Sequence, residues 1–317
     1  MDGPRKGVHC PVRVTARSVT NRSGLLNGNP TDHEHGTARR VNERIVKTAE
    51  ELRFEFGSNW LSFLSTVDED RIREAVASLS RMLQVKDLGG KRFLDIGCGS
   101  GLFSLAARRL GATVHSFDFD SESVACTREL KRRFLRDDSA WTIEEGSVLD
   151  ASYLQSLGEF DVVYSWGVLH HTGDMLTALD NARIPVSQGG RLYIAIYNDQ
   201  GILSTFWMRV KRTYCTGALG RGAVLAVFVP LFFLRSVAVG LIKYGNPVAQ
   251  FTRYKSRRGM SIYHDWIDWL GGYPFEVAKP ELIVRFYKER GLLLTNLTTT
   301  HRLGCNEFVF QRAGSEG

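Results

Sequence analysis

The chain has 317 residues, 43% of them hydrophobic and 24% charged, which is the composition of a globular protein with one large domain and room for an insertion. Wholesale disorder, collagen and coiled coil are excluded. The net charge of +7 is local: Gln200 to Met260 holds ten Lys and Arg and no Asp or Glu, so the basicity belongs to one surface.

Five cysteines (Cys10, Cys98, Cys126, Cys215, Cys305) are scattered without a CxxC pair. This argues against a disulfide framework and predicts a reducing, cytoplasmic setting. Residues 1–38 carry positive charge without a following apolar run, unlike a secretory signal peptide, and read as a disordered tail. Within it, His33 and His35 flank a Glu in a polar stretch that fixes no third ligand, so no metal is expected. Residues 39–90 predict a helical cap: Val41, Ile45, Ala49 and Leu52 recur at three- and four-residue spacing, as do Ile72, Ala75, Val76, Leu79 and Leu83, with Asp68 as N-cap. Between them, Phe54, Phe56, Trp60 and Phe63 read as core.

From Lys91 short apolar runs alternate with helical stretches. RFLDIG, TVHSFD, WTIEE, FDVVYSW and RLYIAIY predict buried parallel strands, with LFSLAARRL, SESVACTRELKRRFL, a segment near Tyr153 and GDMLTALDNARI as the intervening helices. Strict alternation predicts an α/β fold with a doubly wound sheet. Residues 200–279 break it and predict an insertion after the fifth strand. The helix PELIVRFYKERG and the strands LLLTNLTTT and NEFVFQRA then complete the core of 91–199 and 280–313, the last two strands pairing antiparallel across a short turn.

The sharpest motif is Asp95-Ile96-Gly97-Cys98-Gly99-Ser100-Gly101, at the end of the first strand. Glycines there let the backbone turn tightly and approach a ligand that a Cβ would strike. The spacing is GxGxG rather than GxGxxG, and Asp95 would repel a pyrophosphate but suits a cationic ammonium. Asp118 ends the second strand, where a carboxylate can accept both ribose hydroxyls. A ribose and a cationic amino-acid end, without pyrophosphate, describe S-adenosylmethionine; a nicotinamide dinucleotide is the less fitting alternative.

The pieces LDIGCGSG, GATVHSFDFD, EEGSVLD, FDVVYSWGVLHHTGDMLTAL and GGRLYIAIYND together resemble the class I S-adenosylmethionine-dependent methyltransferases, particularly their small-molecule branch with the quinone-biosynthesis enzymes. The resemblance spans 91–199, resumes at 280–312, and implies a seven-stranded, mostly parallel, Rossmann-like sheet. It implies that Asp95, Gly97, Gly99 and Gly101 line the methionine end, that Asp118 holds the ribose, that Ser147 and Val148 flank the adenine, that Phe119 is a further cofactor contact, and that Trp166 lies in the loop beneath the transferring methyl. Many members have Asp where this chain has Ser147, so a carboxylate contact with the adenine amino group is not implied.

Methyl transfer from a sulfonium is an in-line displacement governed by alignment. A hydroxyl acceptor must lose its proton, and His171 and His170 after the fourth strand are the candidate bases, each with a scaffold role as the alternative. Tyr197 and Asn198, and His264 and Asp265 of the insertion, are the candidate acceptor contacts. Within the insertion, Ala223 to Ile242 is a twenty-residue apolar run interrupted by Pro230 and Arg235, which predicts two short helices. It reads as a peripheral membrane element or acceptor lid, as a soluble lid or homodimer contact, or as a spanning helix. The expected function is O-methylation of a small, apolar or phenolic, lipid-like molecule. The alternatives are a methyltransferase acting on RNA or protein and a non-catalytic membrane-associated scaffold; no RNA-binding module is recognised, so nucleic acid is the weaker partner.

Overall fold

The computed structural model describes Phe54, Leu64 and residues 67–251 and 262–314, all within the compact unit Lys47–Gly317. The expected tail with His33 and His35, the first cap helix, and Phe56, Trp60 and Phe63 lie outside the described residues.

Helix α1 (Glu69–Leu83) begins where expected: the Asp68 carboxylate accepts from Arg71 N at 2.9 Å, and Ile72, Ala75, Leu79 and Leu83 are buried on one face. The alternating region follows as β1 (Arg92–Ile96), α2 (Leu102–Arg109), β2 (Thr113–Asp118), α3 (Ser121–Phe134), β3 (Trp141–Glu145), α4 (Ala151–Ser156) and β4 (Phe160–Trp166). A short 3₁₀ turn (Leu169–His171), α5 (Met175–Ala182) and β5 (Val186–Tyr197) come next. The insertion contributes α6 (Ile202–Cys215), α7 (Ala218–Tyr244) and α8 (Ile262–Gly271), and α9 (Pro280–Lys288), β6 (Leu292–Thr298) and β7 (Cys305–Arg312) close the chain.

The seven strands form one sheet in the order β3-β2-β1-β4-β5-β7-β6. All neighbours are parallel except β7, which runs antiparallel to both β5 and β6. Because both faces are covered, the central strands are apolar on both sides. On β1, Leu94 and Ile96 pack with Phe117, Val163, Leu179 and Ile283 under α5 and α9, while Phe93 packs with Ile72, Leu79, Leu105 and Leu130 under α1, α2 and α3. The strand order reverses between β1 and β4, so the crevice of a doubly wound sheet opens at the carboxyl ends of these two strands.

The insertion departs from expectation. Residues 218–244 form one 27-residue helix that runs through Pro230 instead of two short ones. A mid-helix proline removes a hydrogen bond and costs about 3 kcal/mol, but Val224 and Phe228 before it and Phe232 after it pack on one aromatic cluster with Trp207, Ile267 and Trp269, which holds both halves to a common line. Among the described residues the buried part of this cluster is small: Val210, Tyr214, Val224 and Leu270.

Candidate active site

The glycine loop leaves β1 through three left-handed residues, Gly97 (φ 75°), Gly99 (φ 52°) and Gly101 (φ 78°). At Gly97 the close approach is as restrictive as the dihedral, since a Cβ there would lie 2.5 Å from both methyl carbons of Val168, in the loop after β4. The two loops are thereby packed against each other at the switch point. Thr127 of α3 supports the turn from below: its hydroxyl donates to Gly99 O at 3.0 Å, and its side chain fills the space a Cβ on Gly101 would need.

Asp118 ends β2 with its carboxylate oriented by the loop, Oδ2 accepting from Gly99 N at 2.9 Å and Oδ1 from Asp120 N at 3.0 Å. Asp95 is buried beneath the loop. Burial pushes its carboxyl up to about 7, with the Asp118 charge adding to the rise and a hydrogen bond from Ser104 opposing it. That bond, Ser104 Oγ to Asp95 Oδ2 at 2.5 Å, ends a chain that starts at Trp141: its indole N–H donates to Ser116 Oγ at 2.8 Å, and Ser116 and Ser104 hydroxyls lie 2.7 Å apart. Since the indole only donates and Ser104 spends its proton on Asp95, Ser116 must donate to Ser104, and the chain is polarised toward the carboxylate.

Two aromatic rings stand exposed at the carboxyl edge, Phe119 at 57% after β2 and Trp166 at 44% at the end of β4. A Cβ added to the neighbouring Gly167 would meet nothing within 4 Å. Two exposed rings, a glycine loop and an oriented carboxylate at one sheet edge fit a nucleoside with a cationic amino-acid end. Ser147 Oγ is turned to Leu149 N at 3.2 Å, and Val148, which belongs to the core, is tied down through its carbonyl by Asn181.

The candidate acceptor residues separate. His171 Nδ1 lies 2.6 Å from the carbonyl of Pro274; a carbonyl only accepts, so neutral His171 carries its proton on Nδ1 and its lone pair on Nε2. His170 is completely buried, its ring 4.2 Å from that of Tyr197 and 4.5 Å from that of His171. Neither of its nitrogens makes a hydrogen bond of normal geometry, and burial, with His171 and Lys211 nearby, holds it well below the usual histidine range. This neutral, enclosed ring corrects the expectation of His170 as a base facing the crevice. Asn198 also turns inward, donating to Thr300 O at 2.8 Å and accepting from Asn306 Nδ2 at 3.1 Å, so it fastens β5 to the β6–β7 turn. Tyr197 joins Trp269 and Phe275 in an aromatic wall, at ring separations of 6.0 and 5.1 Å. Asp265 lies on α8, half-buried, and the side chain of His264 lies outside the described residues.

Sequence reading missed Lys211. It is buried in the insertion with its ammonium on the Trp269 carbonyl and over the Trp269 ring (4.3 Å) and the Phe275 ring (4.9 Å). Burial lowers it to about 7, with Cys215 and Asp268 opposing the drop. Nothing in the local pattern marks it, since it sits among the other cations of α6.

Residues 67–215 match the methyltransferase domain family. Among curated proteins, the chain is 31% identical over 137 residues to the ubiquinone biosynthesis O-methyltransferase of Parvibaculum lavamentivorans, covering 41% of this chain and 49% of that one. It is 28% identical over 138 residues to the ribosomal protein L11 methyltransferase of Campylobacter fetus, covering 43% of each. The chain thus spans about half the length of the curated relatives it matches. Among solved structures, it is similar to the magnesium protoporphyrin IX methyltransferase of Synechocystis with bound S-adenosylhomocysteine, at 16% identity and a TM-score of 0.46, covering 78% of this chain and 89% of that one. Residues 67–215 of this chain are thus similar to methyltransferase domains.

Proposed function

We propose that the protein transfers a methyl group from S-adenosylmethionine to an oxygen of a small, apolar or phenolic acceptor. The observation that carries this reading is the placement of two preorganised groups at one sheet edge: the Asp118 carboxylate held by Gly99 and the His171 imidazole held by Pro274. When bound, the cofactor supplies an electrophilic methyl group on a sulfonium. Gly97, Gly99 and Gly101 receive its amino-acid end, with Asp95 beneath offering negative charge to the ammonium. Asp118 accepts from the ribose hydroxyls, Phe119, Ser147 and Val148 flank the adenine, and Trp166 covers the edge above β4.

On the acceptor side, His171 Nε2 takes the hydroxyl proton as the oxygen attacks, while the Pro274 carbonyl steadies the imidazolium through Nδ1. Tyr197, Trp269 and Phe275 provide an aromatic wall that favours a flat apolar ring and excludes water from the transfer. The name of the Campylobacter relative supports protein methylation as a second reading. That reading requires a polypeptide substrate to reach the same histidine past the insertion.

Calorimetric titration with S-adenosylhomocysteine, run beside reduced dinucleotides, tests the cofactor. One-site binding of the former alone is expected. Asp118→Ala should weaken it at least about 100-fold, the loss of charged hydrogen bonds to two hydroxyls; unchanged affinity in a folded variant would remove Asp118 from the site. His171→Ala should lower turnover of a phenolic acceptor about 100-fold with cofactor affinity intact, and normal turnover across pH would return His171 to a scaffold role.

A further inference from the structure

Helix α7 is apolar on two opposite sides. One stripe, Val224, Phe228, Phe232, Ser236 and Gly240 at strict four-residue spacing, faces the protein. The other, Val227, Leu231, Leu234, Ala238 and Leu241, recurs at three- and four-residue spacing and is exposed, with Leu234 at 62% and Ile242 just beyond it at 87%. By length and composition the helix could cross a membrane, and only 11% of its apolar stretch is buried. Ile202, Leu203 and Phe206 of α6 extend the exposed surface, Phe206 touching Phe228 across the helix pair. A helix apolar on two sides and left uncovered on one of them offers that side to an apolar phase beyond the protein.

Charge selects that phase. Arg209, Arg212, Arg221, Arg235 and Lys243 are exposed on the same two helices, and no acidic residue occurs between Gln200 and Met260. A second copy of this chain would set these cations against themselves, whereas anionic headgroups would pair with them while acyl chains receive the apolar stripe. The inward stripe is seated against α6 and α8 from Val224 to Phe232, and near the C-terminal end Gly240 packs under the carbonyls of Asn246 and Pro247 in the turn that follows the helix. With its first half packed on two other helices, α7 lies along the protein, which suits the interface plane rather than a threaded bilayer.

We infer that the outer face of α6 and α7 is a membrane-docking surface that lies in the headgroup region of an anionic bilayer. The surface stands independently of the methyl-transfer reading and would give the site access to an acceptor dissolved in lipid. Flotation of the whole protein with vesicles tests it. Binding is expected to an equal mixture of phosphatidylcholine and phosphatidylglycerol, about tenfold stronger than to phosphatidylcholine alone, and reversible by alkaline carbonate. The pair Leu231→Glu and Leu234→Glu should reduce it about tenfold while leaving affinity for S-adenosylhomocysteine unchanged. Arg235→Gln, which keeps the apolar stripe, should remove part of the preference for anionic lipid. Four results would overturn the inference: no flotation of the parent protein; equal flotation of the Glu pair; release by detergent only, which means a spanning helix; or salt-sensitive binding to polyuridylate in place of vesicles. Loss of cofactor binding in the parent protein would strike the methyl-transfer reading alone.

Discussion

The sheet core and the helical insertion solve burial in opposite ways. In the core each strand covers one side chain above and the next below, as Phe93 and Leu94 do, and helices close both faces. In the insertion four described residues are buried in the cluster, while α7 directs more large apolar groups outward than inward. The core is finished by its own chain, whereas α7 leaves apolar side chains exposed, the surface assigned above to a bilayer. On the function proposed above, the cofactor goes with the rigid part, and the choice of acceptor with the part whose apolar surface is exposed.

The largest expected break of this comparison is Gly97→Ala. A methyl group on a left-handed residue already packed against Val168 should cost about 3–4 kcal/mol, lowering Tm by several degrees and cofactor affinity with it. A stable, binding-competent variant would mean that the two loops at the switch point part easily.

A smaller effect sharpens the contrast, because the two regions bury groups of opposite charge. Lys211 is lowered to about 7, so above that pH the unfolded chain holds a proton that the folded chain has released, up to the ordinary lysine range. Stability therefore rises with pH across that window, and the cost of the buried ammonium is complete below about 7. Lys211→Met should stabilise the protein by about 2 kcal/mol near pH 6, with the advantage shrinking toward pH 10. Thermal denaturation of both proteins across pH checks it, and a constant difference would assign Lys211 a purely packing role. Asp95 is raised to about 7, so between the ordinary carboxylate range and neutrality the folded chain holds the extra proton and stability falls as pH rises.

The smallest expected signal follows from Asp95. A ligand ammonium beside the carboxyl lowers its affinity for protons, so S-adenosylhomocysteine binding at pH 7 should release roughly half a proton. Calorimetry in phosphate and in Tris, whose ionisation enthalpies differ, measures it; identical enthalpies would place the ammonium elsewhere.

The sheet core was legible because its signals are local. Alternating apolar runs mark strands, the glycines before α2 mark the turn, and Asp68 marks a helix start within three residues of the N–H it caps. What was not legible depends on contacts distant in sequence. His171 meets Pro274 and Lys211 meets Trp269 only through the path of the insertion, Asn198 is claimed by Thr300 and Asn306, and Thr127 reaches Gly99 from the next helix. Pro230 misled for a related reason: a proline breaks a helix by local chemistry, but here Trp207 and its neighbours hold both flanks in line. His170 and His171 are adjacent letters with opposite fates, one enclosed by Tyr197 and the other tied to Pro274, and no pattern within the loop distinguishes them.

The polarised chain from Trp141 through Ser116 and Ser104 to Asp95 has an optical consequence. An indole is a fluorophore whose emission depends on the electric field along its N–H, and this N–H points down a row of aligned hydroxyls to the Asp95 carboxyl. On the proposed function, a cation arriving at the top of β1 would change the emission of a buried side chain on β3, two strands away, an occupancy gauge built into the sheet.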